Sequence, residues 1–468
     1  MKRKSLLVDG SGRHFSYEAA DDAKKRRKPV TTKLQSEDAE LTAEKRAKLV
    51  TATRDLPRNF TIAAWMIRKH LDYVANHTFQ SRSGNDALDD VIDAFMEDWQ
   101  LPENCDAAGR HPLGKMVRIG EARAVLDGDV FFGKLSSGRI QAVEGDRVRN
   151  PMNGALPENV NPEDMVHGVC VSPTGRAKGF AVHKRGRWAN NYTFERIVPV
   201  MFMRQHGYFD RFDQVRGISP IVPAINTLRD VYEGFDHALA RMKISQLFAL
   251  AMYRSEYDQH PGAGEDGDGQ AEVDFGKGPI VLDMEGQDKV EFLESKQPST
   301  ELQQFSSLMI GVALKALDIP LSFYDEAYTN WSGQRQGLLL YMESARIKRQ
   351  AIRMLLDDLT YWRLSLAVLN GEIALPSTLT VDDLNWEWMP TGMPWLDPLK
   401  EVTADMAAVK GGVDCRQDIC RRKGTNFFDI ADKLAEETKY LADRGLPTDP
   451  ELPIVPPDQP APEKPKGK

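Results

Sequence analysis

The order of segments between residues 221 and 370 constrains the fold of this chain more than any other feature. Apolar residues recur at helical spacing over Ile221 to Tyr253, Ser299 to Leu317 and Gln334 to Asn370. A very acidic segment separates the first two patterns, and an aromatic-rich loop separates the last two. Pro320 ends the middle helix because proline lacks the backbone N–H that a helix uses. The sequence therefore predicts two helices around a compact excursion, then a loop held between two helices.

The acidic segment, residues 256 to 294, contains twelve Asp and Glu but only two lysines. Two short strands, residues 280–282 and 290–292, are predicted on either side of a turn. The spacing of Asp266, Asp268 and Glu272 hints at a calcium loop, but Ala271 stands where such a loop needs glycine. A solvated loop or docking surface is therefore favoured over a specific ion site.

The region before these helices combines helix and strand patterns. Helical spacing runs from Ile62 to Tyr73 and from Leu88 to Trp99. Short apolar runs broken by Gly, Pro and Asn follow, which indicates strands of a mixed or antiparallel sheet. These runs are residues 130–132, 140–143, 169–171, 180–182 and 198–203. Residues 376–398 are typical of strand and turn, residues 397–444 of a small helical unit, and the predicted fold class is α+β.

Both ends of the chain are predicted to lie outside the core. Residues 1 to 58 carry 15 Lys and Arg against 9 Asp and Glu, with little apolar periodicity. We interpret residues 1 to 55 as a mobile basic arm. The tail at residues 447 to 468 is about one-third proline and is expected to be disordered.

Composition excludes several classes of protein. The chain has 468 residues, of which 41% are hydrophobic and 28% charged, so most of it is expected to fold in water. Its longest apolar runs fall short of the roughly 18 residues that span a bilayer, and its first residues lack the apolar stretch of a secretory signal. Four dispersed cysteines predict reduced thiols, and hence a protein made and kept in the cytoplasm. A net charge of −8 argues against a simple basic DNA-coating protein.

Two segments nearly match a phosphate-binding loop. They run from Gly109 to Met116 and from Gly128 to Leu135, and each has the glycine and lysine spacing of such a loop. Neither has the Ser or Thr after the lysine whose hydroxyl would hold magnesium, and in the second the spacer has a strand pattern. We therefore expect no ATPase activity.

Metal and nucleophile motifs find little support either. The chain has no His-Glu-x-x-His helix and no Gly-x-Ser-x-Gly elbow. Cys415 and Cys420 would need further zinc ligands from elsewhere, so they are interpreted as ordinary helix cysteines. His70 and His77 have no carboxylate at ligand spacing and are interpreted as surface or core histidines. We expect no metal, no cofactor and no enzymatic activity.

Several short stretches carry a family resemblance through their order and spacing. They are Cys105-Asp-Ala-Ala-Gly-Arg110, Gly128-Asp129, Glu144-Gly-Asp-Arg147, Arg216-Gly-Ile-Ser-Pro-Ile221, Leu317-Asp-Ile-Pro320, Trp395-Leu-Asp-Pro-Leu-Lys-Glu401 and Gly411-Gly-Val-Asp414. From about Leu56 to Leu446 the chain resembles the lambda-type portal proteins of tailed bacteriophages. It departs from their pattern in the short, very acidic segment and in the loop at 325–333.

The resemblance implies a portal fold with a mixed α/β wing, a long helical stem, a small α/β clip and a helical crown. The implied segments are a wing at 56–218, stem helices at 219–253 and 299–318, an acidic clip at 254–298, a tunnel loop at 319–334, a long helix returning to the wing at 335–396 and a crown at 397–446. In this scheme the tunnel loop presents Tyr328, Asn330, Trp331 and Gln334 to DNA. The clip presents Asp266, Asp268, Glu272 and Asp274 to protein partners.

The implied function is structural. Portal proteins form rings of roughly twelve subunits at one capsid vertex, and double-stranded DNA passes through the ring without sequence recognition. The implied partners are the terminase large subunit, a head-completion or adaptor protein, and the major capsid or scaffold protein, with no membrane. The resemblance places the protein in the virion after synthesis in the host cytoplasm. A metal-dependent DNA-processing enzyme and another minor capsid component remain the alternatives.

Overall fold

The computed structural model describes residues 34–151, 160–186, 191–247, 250–253, 289–292, 300–325, 331–392 and 398–446. The α-helices of these ranges are α1 (Glu37–Glu40), α2 (Ala43–Asn59), α3 (Thr61–Val74), α4 (Asp86–Trp99), α5 (Pro102–Cys105), α6 (Leu113–Asp127), α7 (Ile225–Leu247), α8 (Thr300–Leu314), α9 (Trp331–Leu369), α10 (Pro398–Lys410), α11 (Arg416–Arg422) and α12 (Phe427–Asp443). The strands are β1 (His77–Ser81), β2 (Asp129–Lys134), β3 (Ile140–Glu144), β4 (Met165–Val166), β5 (Val169–Val171), β6 (Ala177–Arg185), β7 (Tyr192–Pro199), β8 (Met203–Gly207), β9 (Leu250–Tyr253), β10 (Lys289–Phe292) and β11 (Trp386–Pro390). The fold is α+β, as predicted.

The strands of the first half form two small antiparallel sheets. The order of one is β3-β2-β8, and the order of the other is β4-β5-β6-β7. Strand β1 pairs with β11, far away in sequence, and β9 pairs with β10. The predicted run at 198–203 does not form one strand. It covers the end of β7, a 3-10 turn at Val200–Phe202 and the start of β8, so it connects the two sheets.

Strand β2 contributes to two cores because successive side chains of a strand point to opposite faces. Val130 and Phe132 join the main core, which draws on α2 to α4, α6 to α9 and β11. Phe131 points the other way and packs between the sheets, where its ring lies 5.0 Å from that of Phe180. All three side chains are buried.

Helix α6 was missed at the sequence level. Its buried residues lie on several faces, including Leu113, Met116, Ala124 and Leu126, so the segment lacks the clear polar and apolar faces of a surface helix. The helix packs closely on β2: a Cβ added at Gly120 would lie 2.5 Å from the Phe132 ring. Because α6 is buried on several sides, its sequence lacks the apolar periodicity by which a surface helix is recognised.

The prediction of a mobile arm through residue 55 is wrong for its last part. Residues 37–40 and 43–59 are helical, and Thr42 caps α2 by accepting a hydrogen bond from the Lys45 amide at 3.3 Å. Leu56 and Thr53 of α2 are buried. Packing and ion pairs with the sheet region, rather than strong amphipathicity, hold this helix. Residues 1–33 lie outside the described ranges.

The first predicted stem helix is shorter than its pattern suggested. Helix α7 ends at Leu247, and Leu250–Tyr253 is a strand that pairs with Lys289–Phe292. A predicted strand at 290–292 is therefore confirmed, but its partner is 250–253, and residues 280–282 lie outside the described ranges. A short apolar run such as residues 250–253 fits a helix or a strand equally well. Here its pairing with residues 289–292 makes it a strand.

Candidate functional site

The residues predicted to face DNA or partner proteins are largely outside the described ranges. Those residues are Tyr328, Asn330, Asp266, Asp268, Glu272 and Asp274. Trp331 is the first residue of α9, and Gln334 is half-buried in its first turn. The loop predicted at 319–334 is therefore shorter, since the helix that was expected to begin at Gln334 begins at Trp331. Ser332 and Gly333 lie in the first turn of α9, where tertiary packing of this long helix overrides the local preference of glycine.

The chain between α8 and α9 is held against α9. Asp318 has a left-handed backbone, with φ of 62°, and ends the helical turn that follows α8. Its carboxylate accepts hydrogen bonds from Ser344 Oγ at 2.6 Å and Lys348 Nζ at 2.9 Å. Pro320 follows, and a Cβ added at Gly337 would lie 2.9 Å from Ser322 Oγ. The Leu317–Pro320 stretch therefore fixes the base of the loop that leads toward residues 326–330.

Two helices of this region present apolar faces that the single chain leaves uncovered. On α8, Phe305, Leu308 and Val312 are each more than half exposed. On α9, Leu340, Ile347 and Met354 are also more than half exposed and recur every seven residues. The opposite sides of both helices are buried in the main core. At about 1.5 Å per residue, the α9 face is about 21 Å long, enough to pack against another helix.

The helical unit at 398–446, which is described throughout, has almost no core of its own. Its buried residues are Ile419 and Asn426. The apolar residues Leu399, Val402 and Met406 lie at helical spacing on α10 and are exposed. Helix α12 is amphipathic, yet none of its residues is buried. The single chain therefore leaves the apolar faces of α10 and α12 uncovered.

Three of the stretches that carried the family resemblance, Gly128-Asp129, Glu144–Arg147 and Arg216–Ile221, meet around one buried ion pair. Arg216 and Asp129 have fully buried side chains, and Arg216 Nε and Nη2 donate to the two oxygens of Asp129 at 2.6 and 2.7 Å. The other N–H groups of Arg216 donate to the carbonyls of Val148, His167 and Gly145 at 2.6 to 2.8 Å. All five guanidinium donors are thus satisfied, which offsets the cost of burying the charge.

Glycines let the backbones approach each other beside this pair. A Cβ on Gly217 would lie 2.1 Å from the Gly128 carbonyl oxygen, and a Cβ on Gly128 would lie 2.2 Å from that of Gly217. Gly128 also has a φ of 93°, which side chains rarely tolerate. The Gly128-Asp129 and Arg216-Gly217 stretches therefore have a structural role in joining β2 to the segment before α7.

Helix α2 contributes two arginines that sequence analysis did not single out. Arg46 Nη2 donates to Asp129 at 3.1 Å, and Arg54 contacts Asp127, Glu144 and Asp146 at 2.6 to 3.3 Å. Hydrogen bonds from Tyr192 and Arg54 hold the pKa of Asp146 well below its usual range despite burial. The helical spacing of Arg46, Val50 and Arg54 could have indicated a packed helix in a segment interpreted as a tail.

A second buried polar cluster joins α3, α6 and β8. The Glu121 carboxylate lies 2.8 Å from His70 Nε2, 2.7 Å from His206 Nε2 and 2.5 Å from the Tyr208 hydroxyl. Burial would raise the pKa of Glu121, but these hydrogen bonds hold it well below its usual range. Burial and the Glu121 charge raise the pKa of Tyr208. His70 is therefore a core histidine, which was one of the two interpretations of its sequence position.

Two groups of acidic side chains converge among the described residues, and arginines occupy or neutralise both. Asp127, Glu144 and Asp146 converge, but the Arg54 guanidinium lies among them, where a cation would have to sit. Asp414, Cys415 and Asp418 also converge, but Arg422 pairs with Asp414 and Arg421 with Asp418. Each acidic group thus already has an arginine of this chain as its counter-charge.

The two near matches to a phosphate-binding loop have different structural roles. Residues 129–134 form β2, and the Lys134 ammonium pairs with Asp358 of α9 at 2.7 Å. Residues 106–111 form a turn in which Asp106 accepts hydrogen bonds from the amides of Ala108, Arg110 and His111. In the first segment α6 begins at Leu113, so Gly114 and Lys115 lie in the first turn of that helix. The second segment is a strand and not a loop that opens a helix.

The cysteines do not pair with one another. The four cysteines are free thiols, of which Cys105 and Cys170 are buried. In the part of the chain that the structure describes, no helix combines the length and apolar character needed to cross a membrane.

Solved structures with a similar chain path come from gene transfer agent particles. One is the neck of an empty particle computed with C6 symmetry: the TM-score is 0.45 at 13% identity, with 81% of this chain and 93% of that chain covered. Another is the neck of a native particle computed with C12 symmetry: the TM-score is 0.44 at 12% identity, with 82% of this chain and 94% of that chain covered.

Sequence comparison identifies the family. A curated relative from Halomonas phage phiHAP-1, described as a probable portal protein, is 24% identical over 389 residues, which cover 78% of this chain and 73% of the relative. The profile of the family described as phage portal protein, lambda family, matches residues 23–349. Because this match spans well over half of the 468 residues, the chain belongs to the lambda family of phage portal proteins.

Proposed function

We propose that this protein forms a closed ring at one vertex of the phage capsid and that double-stranded DNA passes through the ring during packaging and ejection. Membership of the portal family supports this role. In this proposal the terminase large subunit docks first and a head-completion or adaptor protein replaces it, while capsid or scaffold protein surrounds the ring. The protein acts as a structural component of the virion and not as an enzyme.

The uncovered apolar faces of α8 and α9 carry the proposal. They are two different surfaces on one chain, and a heterologous contact uses one surface of each copy against the other surface of the next. Repetition of such a contact by rotation closes a ring. Phe305 and Leu308 on α8, with Leu340 and Ile347 on α9, are each more than half exposed in the single chain. Burying each side chain contributes about 1.5–3 kcal/mol.

The unit at 398–446 offers a second contact between neighbouring subunits of the ring. Its exposed residues on α10 and α12 are apolar, and its own core is too small to hold three helices together. A ring places copies of this unit side by side, so the α10 face of one copy covers the α12 face of its neighbour. We propose that this layer is the crown.

The charge distribution fits the passage of DNA. A strongly basic channel would retain DNA because binding releases counterions from its phosphates. Residues 256–294 instead carry twelve acidic residues and two lysines in each subunit. A ring of roughly twelve copies concentrates this charge, which repels DNA from the wall and attracts basic surfaces of docking proteins. We propose residues 254–298 as the clip and docking surface.

The loop between α8 and α9 is the proposed point of contact with DNA. The chain at its base is held by Asp318, and α9 begins at Trp331. Asn330 and Gln334 can bond phosphates without full charge, and Tyr328 and Trp331 can contact the sugar backbone or a neighbouring subunit. Such contacts are weak and independent of sequence, which suits a moving duplex.

Electron microscopy of the purified protein tests the ring directly. We expect ring-shaped particles with a central hole, and sedimentation should show that their formation depends on concentration. Truncation after residue 446 should leave the rings intact, because the proline-rich tail cannot bury a core. A monomer at every concentration would contradict the proposal, as would magnesium-dependent hydrolysis of DNA or nucleotide that Lys115→Ala, Lys134→Ala or neutralisation of the acidic residues abolishes.

Neutralising the acidic segment tests docking. Replacing Asp266, Asp268 and Asp274 by Asn and Glu272 by Gln should weaken binding of terminase or adaptor and reduce its dependence on salt, while rings persist. The matched control is neutralisation of Asp429, Asp432, Glu436 and Glu437 on α12. Equal partner affinity of wild type and the first variant at low and high salt would contradict a docking role for this segment.

Substitutions in the loop test contact with DNA. Asn330→Ala with Gln334→Ala should leave rings assembled but lower the amount of DNA packaged or retained per head. Trp331→Ala distinguishes two roles: loss of rings would make Trp331 an interface anchor, and loss of retention alone would make it a DNA contact. Normal packaging and retention in both variants would contradict the tunnel-loop assignment.

A further inference from the structure

A basic groove lies between α2 and the second sheet, away from the helix faces discussed above. Its volume is about 520 Å³. One wall is α2, with Arg46 and Arg54, and the other comes from the segment after β3 and from the facing ends of β6 and β7, with Arg149, Arg185 and Tyr192. We call it the arginine groove. It has the size of sites that take small organic or phosphate-bearing ligands.

Its arginines are not equivalent. Arg54 contacts three carboxylates, and Arg185 Nη1 pairs with Asp146 at 2.9 Å. Arg149 differs: its guanidinium lies 4.3 Å from the centre of the Tyr192 ring and has no carboxylate partner in the described part of the chain. The face of Tyr192 orients a cation without neutralising it. Arg149 therefore presents a free, planar set of donors at the groove.

Arg46 is only partly neutralised. Asp129 is already held by two nitrogens of Arg216, so Arg46 reaches it through Nη2 only, at 3.1 Å, and its Nη1 and Nη2 also donate to the Gly145 carbonyl at 3.5 and 3.4 Å. Arg46 Nε is buried without a hydrogen-bond partner among the described residues. Burial and the nearby charge of Arg216 lower the pKa of Arg46 to about 10. The groove lining thus includes a guanidinium whose hydrogen bonds are incompletely satisfied.

The balance of charges around the groove indicates the sign of the charge that a ligand would carry. Five guanidinium groups line or adjoin the groove, and four carboxylates face them. The guanidinium groups are Arg46, Arg54, Arg149, Arg185 and Arg216, and the carboxylates are Asp127, Asp129, Glu144 and Asp146. His167 also lines the groove. One net positive charge therefore remains, and the free donors are those of an arginine fork.

We propose that the arginine groove binds an oxyanion of the phosphate class, with Arg149 as its principal ligand. A planar guanidinium matches two phosphate oxygens at once, which a lysine cannot do. The phosphate can be a free inorganic anion or a phosphodiester of nucleic acid, since both offer the same pair of oxygens. This site is independent of the proposed loop contact with DNA, because it lies on α2 and the sheets.

Binding of inorganic pyrophosphate and of a short oligothymidylate to the full-length protein, measured by calorimetry, tests the proposal. Arg149→Gln should weaken binding about tenfold or more, the factor expected for loss of a charge-assisted hydrogen bond. Arg149→Lys should restore part of the affinity, since it keeps the charge but not the fork. Arg176→Gln is the matched control: it removes an exposed arginine of the same sheet region, outside the groove.

The two probes distinguish the sources of phosphate. Tighter binding of the oligonucleotide, with a salt dependence that decreases by about one charge in Arg149→Gln, identifies nucleic acid. Equal or tighter binding of pyrophosphate identifies a free anion. Absence of binding by the wild type overturns the proposal, as does equal affinity of wild type and Arg149→Gln. Loss of rings in Arg149→Gln, without phosphate binding by the wild type, would assign the groove to a neighbouring subunit and also overturn it.

Discussion

The sheet region and the helical region of this protein differ in how completely one chain pairs or buries their side chains. In the sheet region, Arg216 and Asp129 are fully buried, and every donor of the guanidinium has an acceptor within the same chain. In the helical region, α8, α9, α10 and α12 leave apolar faces in solvent. The comparison teaches that the buried ion pair of the sheet region is satisfied within one chain, whereas one chain leaves the apolar faces of the helical region uncovered. In the proposed ring, other copies cover these faces.

The difference has a physical basis in what each region must do. A buried charge that loses its partner is very costly, so the ionic cluster fixes one arrangement of α2, β2 and the segment before α7. An apolar face can be covered by any surface of matching shape, so it suits a contact that forms after folding. Changes in the two regions should therefore separate folding from assembly.

The largest effect is expected at the buried ion pair. Arg216→Met leaves the buried Asp129 carboxylate with Arg46 as its one charged partner, beside hydrogen bonds from Gln205 Nε2 and the Gly217 amide. We expect the free energy of unfolding to decrease by about 3–5 kcal/mol, because most of the charge compensation is lost. Urea denaturation monitored by circular dichroism measures this change. Arg176→Met, at an exposed position, is the control and should change stability by about 0.5 kcal/mol or less. A small effect of Arg216→Met would mean that the sheet region does not depend on this pair.

The next effect is expected at Glu121, and it depends on pH. Glu121→Gln weakens the contacts to His70, His206 and Tyr208, so we expect a loss of about 2–3 kcal/mol near neutral pH. The folded state lowers the pKa of Glu121, so its charge stabilises the fold above the unfolded pKa of about 4.3, and this contribution is lost as the pH falls below that value.

Denaturation of both proteins between about pH 7 and pH 3 checks this prediction. The difference in stability between wild type and Glu121→Gln should shrink as the solution becomes acidic. Other carboxylates, such as Asp146, also titrate with lowered pKa, but they are common to both proteins and cancel in the difference. A difference that stays constant with pH would contradict the role of the Glu121 charge.

An intermediate effect is expected at the apolar face of α9. It should change the association of subunits and not the stability of the monomer. Ile347→Ser should weaken each subunit contact by about 1.5–2 kcal/mol while leaving the unfolding of the monomer nearly unchanged. Sedimentation velocity over a concentration series measures the shift toward monomers. Gln350→Ser on the same helix is the polar control. If Ile347→Ser destabilises the monomer instead, the face belongs to the core of the subunit and not to the ring contact.

The smallest effect is expected at the base of the loop between α8 and α9. Ser344→Ala removes one hydrogen bond to Asp318, while Lys348 keeps its own. Asp318 is more than half exposed, so water replaces part of the lost bond, and we expect about 0.5 kcal/mol. Denaturation measures this loss. A much larger loss would show that the loop base is as rigid as the buried ion pair.

Much of the local structure could be predicted from residue patterns. Helices α3 and α4 have clear apolar periodicity, Asn85 caps α4, and the strands at 130–132 and 140–143 stand between turn residues. The order of short stretches from Cys105 to Asp414 also indicated the portal family. These features depend on neighbours within a few residues, and a single sequence records such neighbours directly.

The rest depended on contacts between distant parts of the chain. The partnership of Arg216 with Asp129, the packing of α2 in a segment interpreted as a tail, and the all-round burial of α6 have no local signature. The positions of Gly128 and Gly217 are explained only when their backbones meet. By itself the sequence determined the family and those helices and strands that have a clear local pattern. Tertiary structure decided which charges pair and which apolar faces remain open, because burial is a property of the folded chain.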